Sequence, residues 1–191
     1  MATGDGLPPW RPLLRAARER EGRRSHQNRW LQLATVGVDG TPRVRTLVFR
    51  GWGGPAALDL LTDGRSAKGA ELALQPAVEI CWLLPRARCQ FRLRGVVQAL
   101  DPELEQQELE RHWQALSPSG RALWAWPEPG RPLAGAGAFP QQWPTEAPRP
   151  EHFQLLRCVL NEVELLELCG HPHLRRRWHA ETDWNEIRLN P

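Results

Sequence analysis

Apolar and polar residues alternate with a period of two through much of the first hundred positions, which predicts half-buried strands. Val78, Ile80 and Trp82 alternate with Ala77, Glu79 and Cys81, and Gln90, Arg92 and Arg94 alternate with Phe91, Leu93 and Gly95. A strand over 30–38 runs into Asp39-Gly40, the dipeptide expected of a type I′ hairpin turn. Residues 43–50 are then its antiparallel partner. A loop at 51–55 leads to a third strand over 57–62 and a short helix over 66–74, which Pro76 ends and Ser66 is placed to cap. Strands over 77–83 and 89–100 follow. Five strands joined mostly by short turns argue for an antiparallel meander or barrel, because a doubly wound parallel sheet needs more crossover helices.

Helical periodicity marks two other regions. Pro12 opens a predicted helix to about Arg24, with Leu13, Leu14 and Ala17 on one face. Asp101-Pro102, followed by Glu103 and Glu105, predicts a capped helix over 102–116. Ser117-Pro118-Ser119-Gly120 breaks it, and Ser119 is placed to cap a short piece carrying Trp124 and Trp126. Residues 127–150, dense in Pro, Gly and Ala, form a surface excursion, a lid or an arm. Strands over 153–160 and 163–168, hinged near Asn161, and a closing hairpin over 175–189 complete a barrel of about seven or eight strands. The fold class is mainly β (α+β), and 1–191 reads as one domain.

Composition changes this picture little. The chain has 191 residues, 41% apolar and 25% charged, which suits a cored globular domain. Net charge is only +3, and the one lysine is Lys68, so charge alone does not demand nucleic acid. Cys81, Cys89, Cys158 and Cys169 are too widely spaced for a CxxC pair and read as buried free thiols of a cytoplasmic protein. There is no charged-then-apolar leader and no apolar run long enough to span a bilayer. His171, His173 and His179 lack a carboxylate or cysteine at metal-site spacing and are read as part of a surface hairpin, so no metal is expected.

The polar positions carry the chemistry. Arg43, Arg45 and Arg50 stud one strand, and Arg65, Ser66 and Lys68 gather at a helix start, where free N–H groups and a cation suit an anion. Gln90 shares a strand face with Arg92 and Arg94. Taken singly, Arg43, Arg45 and Arg50 read better as a solvated strand face, Arg92 and Arg94 at least as well as outer-face residues, and Ser66 as an N-cap. Together they suit one anionic ligand.

The order and spacing of these segments resemble the FMN-binding split barrel of the pyridoxamine 5′-phosphate oxidase family. The resemblance covers about 25–100 well and 152–191 more weakly, where Trp184 and Arg188-Leu189-Asn190-Pro191 are similar to the family's C-terminal signature. It implies that Arg45 approaches the FMN phosphate and that the backbone of Thr46, Leu47 and Val48 lies along the flavin ring. Arg50 stands where the family has a lysine near flavin and substrate. Leu61 and Thr62 match a Tyr-Thr pair beside the phosphate, Ser66 and Lys68 match two members of a Ser-Arg-Lys clamp, Gln90 matches a glutamine on the ring, and Arg177 an FMN-contacting arginine. The clamp arginine is Ala67 here, and Arg65 is the nearest replacement charge. The family's substrate-phosphate Tyr, Arg and Ser have no counterparts, and its Arg-x-His motif becomes His173-Leu174-Arg175.

The resemblance therefore implies an FMN-dependent oxidoreductase acting on a small-molecule substrate, with FMN at the interface of a homodimer. Two other readings stay open: a non-catalytic FMN-binding or storage module, and a single-stranded nucleic-acid binder built on Trp and Arg. Modest charge and the lack of a basic run count against the last.

Overall fold

A computed structural model describes residues 6–22, 25–143 and 147–191. The predicted C-terminal end of the first helix and part of the 127–150 excursion lie outside the described residues. Eight strands form one antiparallel sheet in the order β3-β2-β1-β4-β5-β6-β7-β8, and an additional β3–β6 pairing closes the first six into a barrel. They are β1 (Trp30–Val36), β2 (Pro42–Gly54), β3 (Ala57–Asp63), β4 (Ala77–Leu84), β5 (Cys89–Gln98), β6 (Phe153–Glu167), β7 (Leu174–His179) and β8 (Ile187–Leu189). The helices are α1 (Trp10–Glu21), α2 (Lys68–Leu74), α3 (Pro102–Gln114) and α4 (Pro118–Ala122). This is the antiparallel barrel expected from the alternation, and the split-barrel class that the resemblance implied.

Alternation set the inside of the barrel correctly. Leu31, Leu33, Ile80, Trp82, Phe91 and Leu93 are buried within it, while Gln32, Cys81, Gln90 and Arg92 face outward. α1 plugs one end with Trp10, Leu14 and Ala17, which join the same core as Trp82 and Trp178. Burying aromatic side chains of this size contributes roughly 1.5–3 kcal/mol each, so α1 is an integral wall. A smaller core of Leu61, Leu109, Trp113 and Phe153 holds α3 on the outside of the barrel. No helix among the described residues is long and apolar enough to cross a membrane.

Several local expectations change. The β1–β2 hairpin forms, but Gly37 N–H bonds Thr41 O and only Gly40 takes a positive φ, +78°. That fits a type I turn followed by a left-handed residue, whereas a type I′ turn needs two positive φ values. The predicted loop at 51–55 is mostly strand: β2 runs on to Gly54 through two register shifts against β3, which leave Arg50 and Gly53 unpaired. The two predicted strands at 153–168 are one continuous β6. Asn161 is its unpaired extra residue, because Arg94 pairs with Glu162 and Gly95 with Leu160. A hinge in the pattern was thus a β-bulge. α1 starts at Trp10 rather than Pro12.

Capping and thiols also differ in part. Asp101 caps α3 as expected, accepting from Glu103 N–H at 3.0 Å. Ser117, not Ser119, caps α4 through Gly120 N–H. α2 begins at Lys68 with no side-chain cap, since Ser66 points back to Asp63 O. Cys89 and Cys158 are buried, but Cys81 is half-buried and Cys169 exposed.

Candidate functional site

β2, β3 and the start of α2 meet at one corner of the barrel, and they bring six of the expected residues together. Arg45 and Leu47 are on the barrel side of β2, because Arg45 pairs with Leu33 and Leu47 with Leu31, both fully buried. Leu61 and Thr62 end β3. Ser66 and Lys68 follow across the 63–67 turn, where Ser66 N–H bonds Asp63 O. Leu47, Leu61, Thr62 and Lys68 line a cleft of about 440 Å³.

The corner is cationic and incompletely satisfied. Lys68 Nζ donates to Ser66 Oγ at 2.9 Å, and Ser66 Oγ donates to Asp63 O at 2.6 Å, so the serine fixes the lysine rather than capping the helix. Among the described residues Lys68 has no carboxylate within ion-pair distance. Burial, and then the nearby charge of Arg45, push its pKa down from the ordinary value, against weaker pulls from Glu71 and Asp63. Arg45 is held by Glu71 Oε2 at 2.7 Å and by Thr35 Oγ1. Thr62 is buried and its Oγ1 has no hydrogen-bond partner. A buried hydroxyl left without a partner costs free energy unless a ligand supplies one.

The remaining expected residues lie elsewhere. Arg65 is bidentate to Asp63, with Nε at 3.0 Å and Nη2 at 2.7 Å, and Nη2 also donates to Trp126 O at 3.0 Å. Its charge is thereby spent on the segment covering the cleft. Thr46, Val48 and Arg50 belong to the outward face of β2. Arg50 Nε is buried without a partner, and burial, then the charge of Arg29, lower its pKa. Gln90 sits on the outer face of β5 in a shallow depression of about 300 Å³ with Gln27, Trp30, Gln32 and Cys81. Arg92 and Arg94 are tied to Glu79, Glu164 and Glu162, the solvated-face alternative for these two. Arg177 lies opposite Glu164 and Ile187 and, among the described residues, has no ion-pair partner.

The outer face can be followed strand by strand. Thr46 pairs with Gln32, Gln32 with Cys81, Cys81 with Arg92, Arg92 with Glu164 and Glu164 with Arg177. Five steps of ~4.8 Å put Arg177 about 24 Å along the sheet from Thr46. Gln90 and Arg177 thus stand on strands that are not hydrogen-bonded to β2.

Sequence reasoning missed the residues that hold and cover the corner. Thr35 and Glu71 orient Arg45, and only the i+3 spacing of Glu71 from Lys68 on α2 hinted at it. The 123–139 stretch roofs the cleft with Trp124, Trp126, Pro127, Leu133 and Phe139. It is latched by Arg65 on Trp126 O, by His152 Nε2 beside Trp124 O at 2.6 Å, and by Trp126 Nε1 donating to Pro140 O.

Comparison with known proteins bears on the family and the fold. Residues 7–101 match the family model described as pyridoxamine 5′-phosphate oxidase, FMN-binding domain. The chain is 34% identical to pyridoxine/pyridoxamine 5′-phosphate oxidase 2 of Arabidopsis thaliana, over 98% of this chain and 100% of that protein. It is 28% identical to the pyridoxine/pyridoxamine 5′-phosphate oxidase of Hyphomonas neptunium, over 84% and 77%. Among solved structures, a pyridoxamine 5′-phosphate oxidase-related FMN-binding protein from Nostoc punctiforme superposes with a TM-score of 0.88 at 37% identity, covering 97% of this chain and 99% of that one. PhzG from Burkholderia lata, solved with tetrahydrophenazine-1-carboxylic acid, shares the fold with a TM-score of 0.81 at 20% identity, covering 98% and 95%.

Proposed function

We propose, for a chain that belongs to the FMN-binding pyridoxamine 5′-phosphate oxidase family, that it is an FMN-dependent oxidoreductase acting on a small substrate. FMN is the cofactor of this family. The observation that carries the reading is the β2–β3–α2 corner, where the unsatisfied hydroxyl of buried Thr62 and the unpaired Lys68 line one cleft beside Arg45. A phosphate suits that set: it accepts from a hydroxyl and neutralises Lys68, whose ammonium is disfavoured by burial and by the charge of Arg45.

When bound, FMN supplies the redox chemistry, taking two electrons and a proton from the substrate. The chain's part is to bind and to exclude water. Lys68, Arg45 and Thr62 hold the phosphate, and Ser66 fixes the ammonium of Lys68. Leu47 and Leu61 give an apolar floor, and the 123–139 roof keeps solvent out. Arg50, with its buried free Nε, is the group beside the ring and the substrate. Arg65 acts here through the roof it latches.

A second copy of the chain belongs to this reading. Gln90 and Arg177 stand on an outer face that also exposes Trp30 and Leu83, about 14 and 24 Å along the sheet from β2. A homodimer with FMN between subunits lets that face of one barrel complete the phosphate corner of the other. Gel filtration of the flavin-loaded protein should give a dimer, and Arg177→Ala should weaken FMN binding without altering the melting temperature of the apoprotein. A monomer that retains FMN would overturn the interface.

The test of the function is an oxidation assay with pyridoxamine and pyridoxine 5′-phosphates on the FMN-loaded protein. A yellow protein with flavin absorbance and turnover is expected, and Lys68→Ala should weaken FMN binding about tenfold or more, the worth of one charge-assisted hydrogen bond. Flavin binding without turnover on any amine or reductant would instead make the chain a flavin-binding module. A colourless protein that cannot be reconstituted would refute both.

A further inference from the structure

About half of the arginines among the described residues are neutralised: Arg43, Arg45, Arg65, Arg92, Arg94, Arg111, Arg157, Arg175 and Arg176, for example, each lie within ion-pair distance of a carboxylate. One face of α1 gathers three that are not. Arg11, Arg15 and Arg18, at i, i+4 and i+7, project to the same side of the helix. Together with Trp52 and three apolar residues they line a cavity of about 230 Å³ in which no carboxylate takes part. Among the described residues none of the three is in an ion pair.

Two of these arginines are anchored through one nitrogen each. Arg11 Nη1 donates to Gly54 O at 3.0 Å and to Pro55 O, with its guanidinium 3.5 Å from the centre of the Trp52 ring. Arg18 Nε donates to Asn28 O at 2.8 Å, and the group lies over Phe49 and Trp82. Among the described residues the other guanidinium nitrogens have no protein acceptor. Burial lowers the pKa of Arg11 to about 10, and burial followed by the charge of Arg29 lowers that of Arg18. Two partly desolvated cations, Arg11 and Arg18, with the exposed Arg15 between them along the helix and no counter-charge among the described residues, are unfavourable in the free protein, and an anion relieves them.

We propose that the cavity between α1 and Trp52 is a second binding site, separate from the FMN corner, for a small anion of the phosphate class. Guanidinium forks match phosphoryl oxygens in geometry and charge. The row of three spans ~10 Å along the helix at ~1.5 Å per residue, enough for one phosphoryl group or two linked ones. A concave, apolar-walled cavity of this volume suits a small ion better than a polymer backbone. Trp52 is seven residues along β2 from Arg45, about 24 Å at ~3.4 Å per residue, so the cofactor phosphate at the Lys68 corner does not fill it.

Isothermal titration of the FMN-loaded protein with inorganic phosphate, and separately with pyrophosphate, tests this at ionic strength held constant with sodium chloride. One saturable site per chain is expected for at least one of the two, and the tighter ligand tells whether one or two phosphoryl groups are seated. Arg15→Gln, at an exposed position that folding tolerates, and Arg11→Gln should each weaken that binding about tenfold or more. The visible flavin spectrum should stay unchanged in both variants, which separates this site from the FMN corner. Absence of saturable binding with both anions, or equal affinity in wild type and Arg15→Gln, overturns the proposal.

Discussion

Thr62 and Lys68 are the residues from which occupancy of the corner is best read. Thr62 Oγ1 is buried with no partner, so Thr62→Val should leave the apoprotein as stable or raise its stability by up to ~1 kcal/mol, while weakening FMN binding. Thermal melts of the apoprotein and flavin fluorescence titrations measure the two effects, and loss of both stability and affinity would mean the hydroxyl is used within the fold. Lys68 has a folded-state pKa below its ordinary value of 10.5. A base with a lowered pKa makes the fold gain stability as pH rises from that value toward 10.5, because the unfolded chain then binds more protons. FMN affinity should fall over the same range as the ammonium is lost. Lys68→Met should flatten both profiles. Lys68 was legible because it is the chain's one lysine and stands at a helix start. Thr35 and Glu71, which hold Arg45, were not, since they meet it only across β1, β2 and α2. Arg65 was read as a phosphate ligand, but Asp63, two residues before it, takes its guanidinium, a short-range competition that a spacing argument does not weigh.

At the scale of elements, two features fix where the corner sits. β6 keeps its register against β5 by bulging at Asn161, and there a Cβ on Gly95 would lie 2.0 Å from Val159 O. Gly95→Ala should therefore force the strands apart and cost ~3 kcal/mol or more, seen as a lower urea midpoint. α3 is pinned by a buried ion network: Arg157 bonds Asp59 at 2.9 and 3.0 Å and Glu108 at 2.6 Å, and His112 lies 3.1 Å from Asp59. Burial pushes the Asp59 carboxyl up, but bonds from His112 and Arg157 outweigh it and leave the pKa lowered. Its contribution to stability is complete above the ordinary value of 3.8 and is lost as pH falls through the lowered one. Asp59→Asn should cost ~3–5 kcal/mol at neutral pH and shallow the acid limb of the stability profile. β1, β4 and β5 were legible because they bury alternate residues. The β2 extension was not, because Gly51-Trp52-Gly53-Gly54 has the composition of a loop and is held as strand only by its pairing with β3. The Asn161 irregularity was visible, but from the pattern alone a break and a bulge look alike.

For the whole molecule, barrel closure was foreseeable in kind but not in its joints. Nothing local announces that β3 pairs with β6, since some 90 residues separate Leu60 from its partner Leu156. The distribution of the expected residues over β2, α2, β5 and β7 was equally hidden, because spacing along the chain does not say which strands become neighbours. Cys169 is the exposed thiol, whereas Cys89 is pushed up to about 11 and Cys158 to about 12 by burial, so a thiol reagent should label Cys169 first in the native protein. β6 has a consequence for how the protein is made. Its first half seals β3, which ends in Leu61 and Thr62, and its second half carries the edge with Arg177. During synthesis, residues 7–101 leave the ribosome with Arg45, Thr62 and Lys68 present but with β3 still an open edge. Flavin capture should then wait for the last fifth of the chain to emerge, and a chain stalled near residue 150 should expose that edge to aggregation instead of turning yellow.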